Sequence, residues 1–241
     1  MAASVGAAAD RAFEADRYLR GYWPDGEPIG SAKCSDCQID SISQSWAAMC
    51  PDASNSKADT ALDTALRELF DRDEKIVKLF TPPFYGSGRD PGYIKSYGPG
   101  FRENGGQYTH AAIWLAMACF RRGREKDGYD ILLSILPEEH EARRYMSEPF
   151  VIPADVSACP EHMGEAGWTW YTGSSGWYFR VFCEELLGLK LWNGLLYIRP
   201  ALPDGFPNVT LSLKGHDITL SGGNILLDGE IYDGKGIPYF D

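Results

Sequence analysis

The segment that most constrains the fold covers residues 97–110, where seven polar side chains stand between glycines and lead directly into the apolar run 111–120. A polar, glycine-rich loop that delivers side chains to the start of a buried helix is a common way to build a binding site. Glu103 and Asn104 precede the predicted helix start, so helix capping explains part of this polarity. Capping accounts for one or two of these side chains, and the segment therefore predicts a site.

A second polar stretch, residues 164–177, places large aromatic residues around Thr172, Gly173 and Ser174. Aromatic faces beside hydroxyl and backbone donors suit a sugar ring, whose C–H faces stack while its hydroxyls form hydrogen bonds. The stretch also opens the apolar run 177–187, and free N–H groups at the start of a helix bind anions. A tryptophan-rich core closed by a Ser or Thr cap is the alternative interpretation.

Composition restricts the class of partner. Hydrophobic residues make up 44% of the 241 residues, which is enough for a substantial core. The chain carries 34 acidic against 23 basic residues and a net charge of -11, so it should repel nucleic acid and anionic membranes. A neutral, hydroxyl-rich ligand is compatible with such a surface.

The sequence shows neither an apolar run long enough to span a bilayer nor the start of a secretion signal, and we expect a cytoplasmic protein. Six cysteines are too few for a disulfide scaffold. Cys34 and Cys37 have the spacing of zinc ligands, but there is no second such pair, so we expect no metal site.

Apolar residues at helical spacing predict most of the first part of the chain to be helical. The predicted helices cover residues 3–20, 39–50, 56–73, 107–121, 125–136 and 174–187. The fourth and fifth of these should form an antiparallel pair, because a short link containing Arg122-Gly123 joins them and Pro137 closes the second. The loops 81–100 and 137–168 are long, and loops of such length in compact domains are commonly functional.

The pattern changes near residue 190. Short apolar segments separated by Pro, Gly, Asn and Asp predict strands at residues 195–199, 209–213, 218–220 and 225–227. We therefore divide the chain into a helical domain, residues 1–189, and a C-terminal β region, residues 190–241. Helix pairs with long loops are typical of a barrel of nested helices, but the five or six predicted helices are about half of such a barrel.

Several motifs, in order along residues 17–213, resemble glycoside hydrolase family 94, the inverting disaccharide and oligosaccharide phosphorylases. The likeness is strongest to the family branch of cyclic β-1,2-glucan synthases and β-1,2-oligoglucan phosphorylases. The motifs are residues 39–46, 81–84, 90–95, 102–110, 148–149 with 154–155, and 167–173.

The resemblance implies a mainly α fold: the C-terminal half of an (α/α)6 barrel of the six-hairpin glycosidase type in residues 1–189, then a small β-sandwich-like region. By position, His110, Thr172 and Gly173 correspond to residues that hold phosphate in this family. Arg102 and Glu103 correspond to residues that face the transferred sugar. Further candidate substrate-binding residues are Gln44, Gln107, Trp168 and Trp170.

One departure from the family pattern concerns the general acid. The family's acid is an Asp in a Trp-Asn-Asp type of motif that lies upstream of the matched segments, and this chain has no Trp-Asn-Asp, since Trp192 and Asn193 are followed by Gly194. We therefore expect no catalytic residue in this chain and an acid that lies upstream.

Phosphorolysis requires fewer catalytic carboxyl groups than hydrolysis, so the residues present in this chain can still indicate a function. Ordinary inverting hydrolysis needs two carboxyl groups, one as acid and one to activate water. Phosphate is already an anion and needs no base, so the protein must hold it with a His, an Arg and N–H groups at a helix start. We expect phosphate or α-glucose 1-phosphate as co-substrate, with no other cofactor.

The predicted function is inverting phosphorolysis or glycosyl transfer on β-linked gluco-oligosaccharides, with β-1,2-glucan as the favoured substrate. The alternatives are a non-catalytic carbohydrate-binding protein and a truncated fragment that is inactive alone. Partners would be the oligosaccharide and either a second copy of the chain or a complementing N-terminal half.

Overall fold

The computed structural model describes residues 10–86, 88–170 and 172–239, with the exception of the Thr172 side chain. The chain divides into two compact units, Met1–Tyr178 and Phe179–Asp241. Helices and strands occur in both parts of the described chain, so the fold is a mixture of the two. The first unit contains all the residues predicted to bind phosphate or sugar.

Six α-helices lie wholly within the described residues, and the five predicted after residue 38 are confirmed within a few residues. They are α1 (Ser41–Met49), α2 (Asn55–Leu69), α3 (Thr109–Arg121), α4 (Glu125–Ile135), the short α5 (Ala142–Tyr145) and α6 (Thr172–Val181). The last continues as a π-helical turn, Phe182–Leu186. In the described residues, no helix has both the length and the apolar character needed to cross a membrane.

The core of the first unit is organised around α3, which packs against both α1 and α4. Ten of its thirteen residues are buried. Four alanines in this helix keep its surface narrow, so that neighbouring helices approach closely. The contact with α4 is especially close, since a Cβ atom at Gly128 would lie 2.9 Å from the ring of Phe120.

The helix predicted for residues 3–20 is wrong for residues 12–20, whereas residues 10 and 11 are helical. Residues 1–9 lie outside the described structure, and the following segment forms a hairpin of β1 (Phe13–Glu14) and β2 (Arg17–Tyr18). The reason is a tertiary contact that the local pattern does not contain. The buried Arg17 guanidinium donates two hydrogen bonds, of 2.9 and 3.0 Å, to the Glu68 carboxylate on α2.

Gln44 was predicted to bind substrate, and the structure instead places it in the core. Its side chain is completely buried on α1. Its Oε1 accepts a 2.7 Å bond from the Tyr18 N–H, and its Nε2 lies 2.9 Å from the carbonyl oxygens of Tyr18 and Asp40. Gln44 therefore ties the N-terminal hairpin to the first helix.

Short two-residue strands connect the helices of the first unit. The first three pairs are the hairpin β1–β2, then β3 (Gly21–Tyr22) with β4 (Pro28–Ile29), and β5 (Ile39–Asp40) with β8 (Phe80–Thr81). A fourth pair joins β6 (Phe70–Asp71) to β7 (Ile76–Val77).

The second unit is built mainly from antiparallel strands. They are β12 (Leu189–Trp192), β13 (Leu195–Ile198), β14 (Val209–Leu213), β15 (His216–Ser221), β16 (Asn224–Leu227), β17 (Glu230–Ile231) and β18 (Ile237–Pro238). The first, second and last form one sheet, and the other four form a meander. The apolar side chains of Leu196, Ile198, Ile218 and Leu220 form the core of this unit.

The first strand of the second unit begins at Leu189, and the division into residues 1–189 and 190–241 stays a prediction. Residues 179–189 nevertheless group with the strand region. The described helices do not by themselves make an (α/α)6 barrel, and that architecture stays a prediction from the resemblance.

The contacts of Gln44 give a stability prediction. Replacing Gln44 with Ala leaves buried backbone groups of Tyr18 without their partner, and we expect a loss of about 2–4 kcal/mol in the free energy of unfolding. Urea unfolding measures this loss. The matched control is Gln38→Ala, which removes one hydrogen bond to the Cys34 carbonyl and should cost less than half as much. Equal losses in the two variants would contradict the structural role of Gln44.

Candidate functional site

A three-stranded sheet brings together the two polar stretches. It consists of β9 (Gln107–Tyr108), β10 (Asp155–Val156) and β11 (Ala166–Gly167), with β10 in the middle. Asp155 is paired with Tyr108 on one side and with Gly167 on the other. Adjacent strands lie about 4.8 Å apart, so the ends of both stretches are held close to each other.

Backbone hydrogen bonds at Ala154 extend the alignment of these three segments by one residue beyond the sheet. The Thr109 N–H donates to the Ala154 carbonyl at 2.9 Å, and the Ala154 N–H donates to the Trp168 carbonyl at 3.1 Å. Thr109 is the first residue of α3 and precedes His110. Ala154 therefore positions both the start of α3 and the tryptophan-rich loop, residues 168–170.

His110 lies directly against the start of α6. A Cβ atom at Gly173 would be 2.7 Å from Cε1 and 2.8 Å from Nε2 of His110, so only glycine fits there without moving the ring. The Ser174 hydroxyl lies 3.4 Å from His110 Nδ1. The Thr172 side chain lies outside the described residues, while its backbone begins the helix. The structure thus places His110 and Gly173 together.

The His110 ring is half-buried among aromatic side chains. It stacks on Tyr108 with ring centroids 5.7 Å apart, and the edge of Trp114 approaches at 5.9 Å. Burial lowers the pKa of His110 below its usual value of 6.5, because the charged imidazolium loses water. Near neutral pH the free site therefore presents an uncharged imidazole with one N–H donor.

Arg102 stands between two aromatic rings. Its guanidinium carbon lies 4.4 Å from the centre of the Trp168 ring and 5.3 Å from that of Tyr97. Its Nε is 3.4 Å from the Glu103 carboxylate. Arg102 and Glu103, both predicted to face the sugar, therefore adjoin each other at the edge of the tryptophan-rich loop.

Asp155 is the main residue of this cluster that was not predicted as a site residue, although it belongs to one of the quoted motifs. It is 6% exposed, and its Oδ1 lies 3.9 Å from Arg102 Nη1, with neither atom in a hydrogen bond. Burial raises the pKa of Asp155; the Glu103 charge raises it further, and Arg102 opposes this. The sequence feature that could have marked Asp155 as a site residue is its position as a lone acid in an otherwise apolar segment.

Trp168 and Trp170 are both exposed, by 61% and 66%, and both have positive φ angles, 53° and 63°. Such a backbone is costly for residues with a Cβ atom and marks positions where the side-chain direction matters. Trp170 is held by a 2.9 Å hydrogen bond from Nε1 to Glu148 and by edge contact with Phe150. These rings present aromatic surface to solvent beside Arg102.

Gln107 and Asn104 lie in the interior and shape the loop. Gln107 was predicted to bind substrate, but it is completely buried and its Oε1 accepts a 2.8 Å bond from the Val77 N–H. Asn104 exchanges hydrogen bonds with the backbone of Phe84 and also donates to the Tyr97 carbonyl at 2.8 Å. Part of the polarity of this stretch therefore serves folding, as the capping interpretation allowed.

Within the described part of the chain, no group of three or more His, Cys, Asp or Glu side chains has the arrangement of a metal site. Of the two cysteines with zinc-like spacing, Cys37 is buried, and the Cys34 thiol contacts the Pro28 carbonyl at 3.2 Å.

Sequence comparison identifies the family of the chain. Residues 1–188 match the catalytic domain of the Glycosyl hydrolase 94 superfamily. The chain belongs to this superfamily, as the quoted motifs predicted. The part matched includes every residue of the candidate site.

Characterised relatives are larger proteins. The chain is 40% identical, over 212 residues, to the cyclic beta-(1,2)-glucan synthase NdvB of Rhizobium meliloti (strain 1021), covering 86% of this chain and 8% of that protein. It is 27% identical over 208 residues to the solabiose phosphorylase of Paenibacillus borealis, covering 83% of this chain and 26% of the relative. It is 26% identical over 236 residues to an N,N'-diacetylchitobiose phosphorylase of Vibrio furnissii, covering 90% and 29%. The chain thus spans less than a third of each of these relatives.

The buried carboxyl of Asp155 leads to a pH-dependent prediction. Because its pKa in the folded protein lies above the usual 3.8, the folded state binds the proton more tightly than the unfolded chain, and stability falls as pH rises through this window. Asp155→Asn removes this ionisation, so the stability of the variant relative to wild type should increase between pH 4 and 7. Each unit of pKa corresponds to about 1.4 kcal/mol.

Urea unfolding at several pH values measures this difference. The control is Asp204→Asn, at an exposed position of the second unit, which shows how stability changes when one exposed carboxylate is removed. A difference between Asp155→Asn and wild type that stays constant from pH 4 to 7 would show that Asp155 does not titrate as its burial implies.

Proposed function

We propose that this chain supplies the phosphate- and sugar-binding side of a glycoside phosphorylase or glucan synthase site that acts on β-linked gluco-oligosaccharides. The observation that carries the proposal is the contact of His110 with Gly173 at the start of α6, in a chain of the Glycosyl hydrolase 94 superfamily. The names of the relatives, a cyclic β-1,2-glucan synthase and several phosphorylases, support this substrate class. The 40% identity to the synthase favours β-1,2-linked glucan.

Phosphate would bind at the first turn of α6, beside the His110 ring. The N–H groups of this turn have no partner within the helix and carry the positive end of its dipole. The Ser174 hydroxyl beside His110 adds a further donor, and we assign the same task to Thr172 and Gly173. An anion placed there also favours the protonated imidazolium, so phosphate binding should raise the pKa of His110.

The sugar would lie beside Arg102 and Glu103. The guanidinium and the carboxylate offer donors and acceptors to sugar hydroxyls, and their orientation is fixed by the Trp168 and Tyr97 rings. Trp170, with its exposed face, provides a surface for the C–H face of a hexose. Gln44 and Gln107 are buried and contribute to this surface only by stabilising the fold.

We assign the proton donor to a residue outside these 241 residues. In inverting phosphorolysis a phosphate oxygen forms the new bond to the anomeric carbon, and the departing sugar oxygen takes a proton from the general acid. Such assistance contributes about 10²- to 10⁴-fold to the rate. The isolated chain should therefore bind ligands but release little α-glucose 1-phosphate from phosphate and oligosaccharide, and clear turnover by the chain alone would contradict this assignment.

A carbohydrate-binding protein without turnover is the second candidate, and the exposure of Trp168 and Trp170 favours it. Calorimetry separates the two candidates. A binding protein takes up oligosaccharide with the same affinity whether or not phosphate is present. A phosphorylase site couples the two ligands, because they occupy adjacent positions.

His110→Ala tests the phosphate site. The variant loses the ring donor next to Gly173, and we expect its affinity for inorganic phosphate to fall at least tenfold while oligosaccharide affinity stays within twofold of wild type. Isothermal titration calorimetry measures both. His162→Ala, at an exposed histidine that pairs with Glu165, is the matched control and should leave phosphate binding unchanged. Equal losses for phosphate and oligosaccharide in His110→Ala would refute the assigned role.

A further inference from the structure

A cleft of about 590 Å³ opens beside the candidate site and has no role in the function proposed so far. Its volume lies within the roughly 300–1,000 Å³ typical of small-molecule sites. We call it the aromatic cleft, and its wall is formed by Tyr22, Trp23, Phe84 and Tyr93 together with Arg20, Asp40, Asp90 and Glu103.

The aromatic cleft is continuous with the candidate site. Glu103, which adjoins Arg102, and Tyr108, which stacks on His110, both belong to its lining. A molecule whose end is held at Glu103 can therefore continue into this cleft. Its other walls come from the β3–β4 hairpin and the long loop 81–100.

Two of the cleft's aromatic rings are largely exposed to water. Tyr22 is 59% exposed and Tyr93 is 67% exposed. Behind them, Phe84 contacts Trp23 edge to face at 6.3 Å and Phe80 at 5.2 Å. Edge contact with Tyr97 at 6.5 Å also connects Tyr93 to the ring that supports Arg102. These rings offer flat apolar surface next to other packed aromatic side chains.

The polar groups of the cleft exclude an anionic ligand. Asp40, Asp90 and Glu103 contribute three carboxylates, whereas Arg20 is the only basic residue among the described lining. Arg20 is already paired with Asp40 at 3.1 Å, and the other Asp40 oxygen caps α1 through the Ile42 N–H. A phosphate group would meet net negative charge here. A neutral molecule with hydroxyl donors would find acceptors.

From these observations we infer that the aromatic cleft binds further glucosyl units of the oligosaccharide whose end lies at Glu103, and so makes the protein prefer longer chains over disaccharides. Sugar rings match the combination of exposed aromatic faces and carboxylate acceptors. The inference rests on the proposed function for the identity of the sugar. To the proposed function it adds the residues that make binding depend on the length of the oligosaccharide.

Calorimetry with β-1,2-linked glucose disaccharide and hexasaccharide tests the inference. Wild type should bind the hexasaccharide at least tenfold more tightly. Tyr22→Ala and Tyr93→Ala should each weaken hexasaccharide binding about five- to tenfold, with disaccharide binding unchanged. The matched control is Tyr85→Ala, since Tyr85 is 79% exposed but lies outside the cleft lining. Both test positions are exposed, so the variants should fold, and circular dichroism checks this.

Three results would overturn the inference: equal affinity of wild type for the two sugars, equal weakening of both sugars in the cleft variants, or an effect of Tyr85→Ala as large as theirs. Hydrogen exchange separates this inference from the proposed function. Protection of residues 20–24 and 91–95 by hexasaccharide, without any phosphate effect at His110, would support the cleft and refute the phosphate site. A phosphate effect at His110 without protection of residues 20–24 and 91–95 would support the phosphate site and refute the cleft. If neither effect is seen, both the phosphate site and the cleft are refuted.

Discussion

The site depends on one backbone constraint, the pairing of Asp155 with Tyr108 on one side and with Gly167 on the other. Each partner is separated from Asp155 in the sequence, and the strands are only two residues long, so hydrogen bonds at Ala154 are needed to extend the alignment. Because strand spacing is nearly invariant, this small sheet fixes where α3 begins relative to the tryptophan-rich loop. His110, Arg102 and Trp168 acquire their relative positions through it.

The electrostatics of the site bear on the phosphate role that we propose for it. The chain has a net charge of -11, so an inorganic anion approaches an unfavourable field. Burial keeps His110 neutral in the free site, and the contribution of α6 comes from uncharged N–H groups and a hydroxyl. Burying neutral donors costs little desolvation free energy. Burying a permanent charge without a bound partner costs much more. Arg102 carries charge but is held by aromatic faces and Glu103.

Much of the helical structure follows from the sequence, because α2, α3 and α4 have long, regular apolar faces and clear ends. The N-terminal helix was predicted wrongly because apolar spacing alone does not register the contact between Arg17 and Glu68, which favours a hairpin. The two-residue strands β9, β10 and β11 are too short to show alternation. Their pairing is non-local and has no signature in either segment alone.

The candidate site was predictable to a similar degree. The motifs assign His110 and Gly173 to one site, and the two residues are in contact in the structure. Their role in phosphate binding stays a prediction. Gln44 was assigned to the site by its motif, but its buried side chain forms hydrogen bonds with the backbone of Tyr18, a role that the sequence pattern does not distinguish from ligand binding. For Asp155 the sequence shows only a lone acid in an apolar segment, and the neighbouring Arg102 becomes apparent only in the folded structure.

The most direct test is a phosphate titration followed by nuclear magnetic resonance on the ¹⁵N-labelled chain. It would monitor the His110 ring together with the backbone amides of Gly173 and Ser174. If the two polar stretches form one phosphate site, all three signals shift with the same dissociation constant, and the His110 pKa rises. Shifts at the amides with no change at His110, or two different dissociation constants, would contradict a shared site.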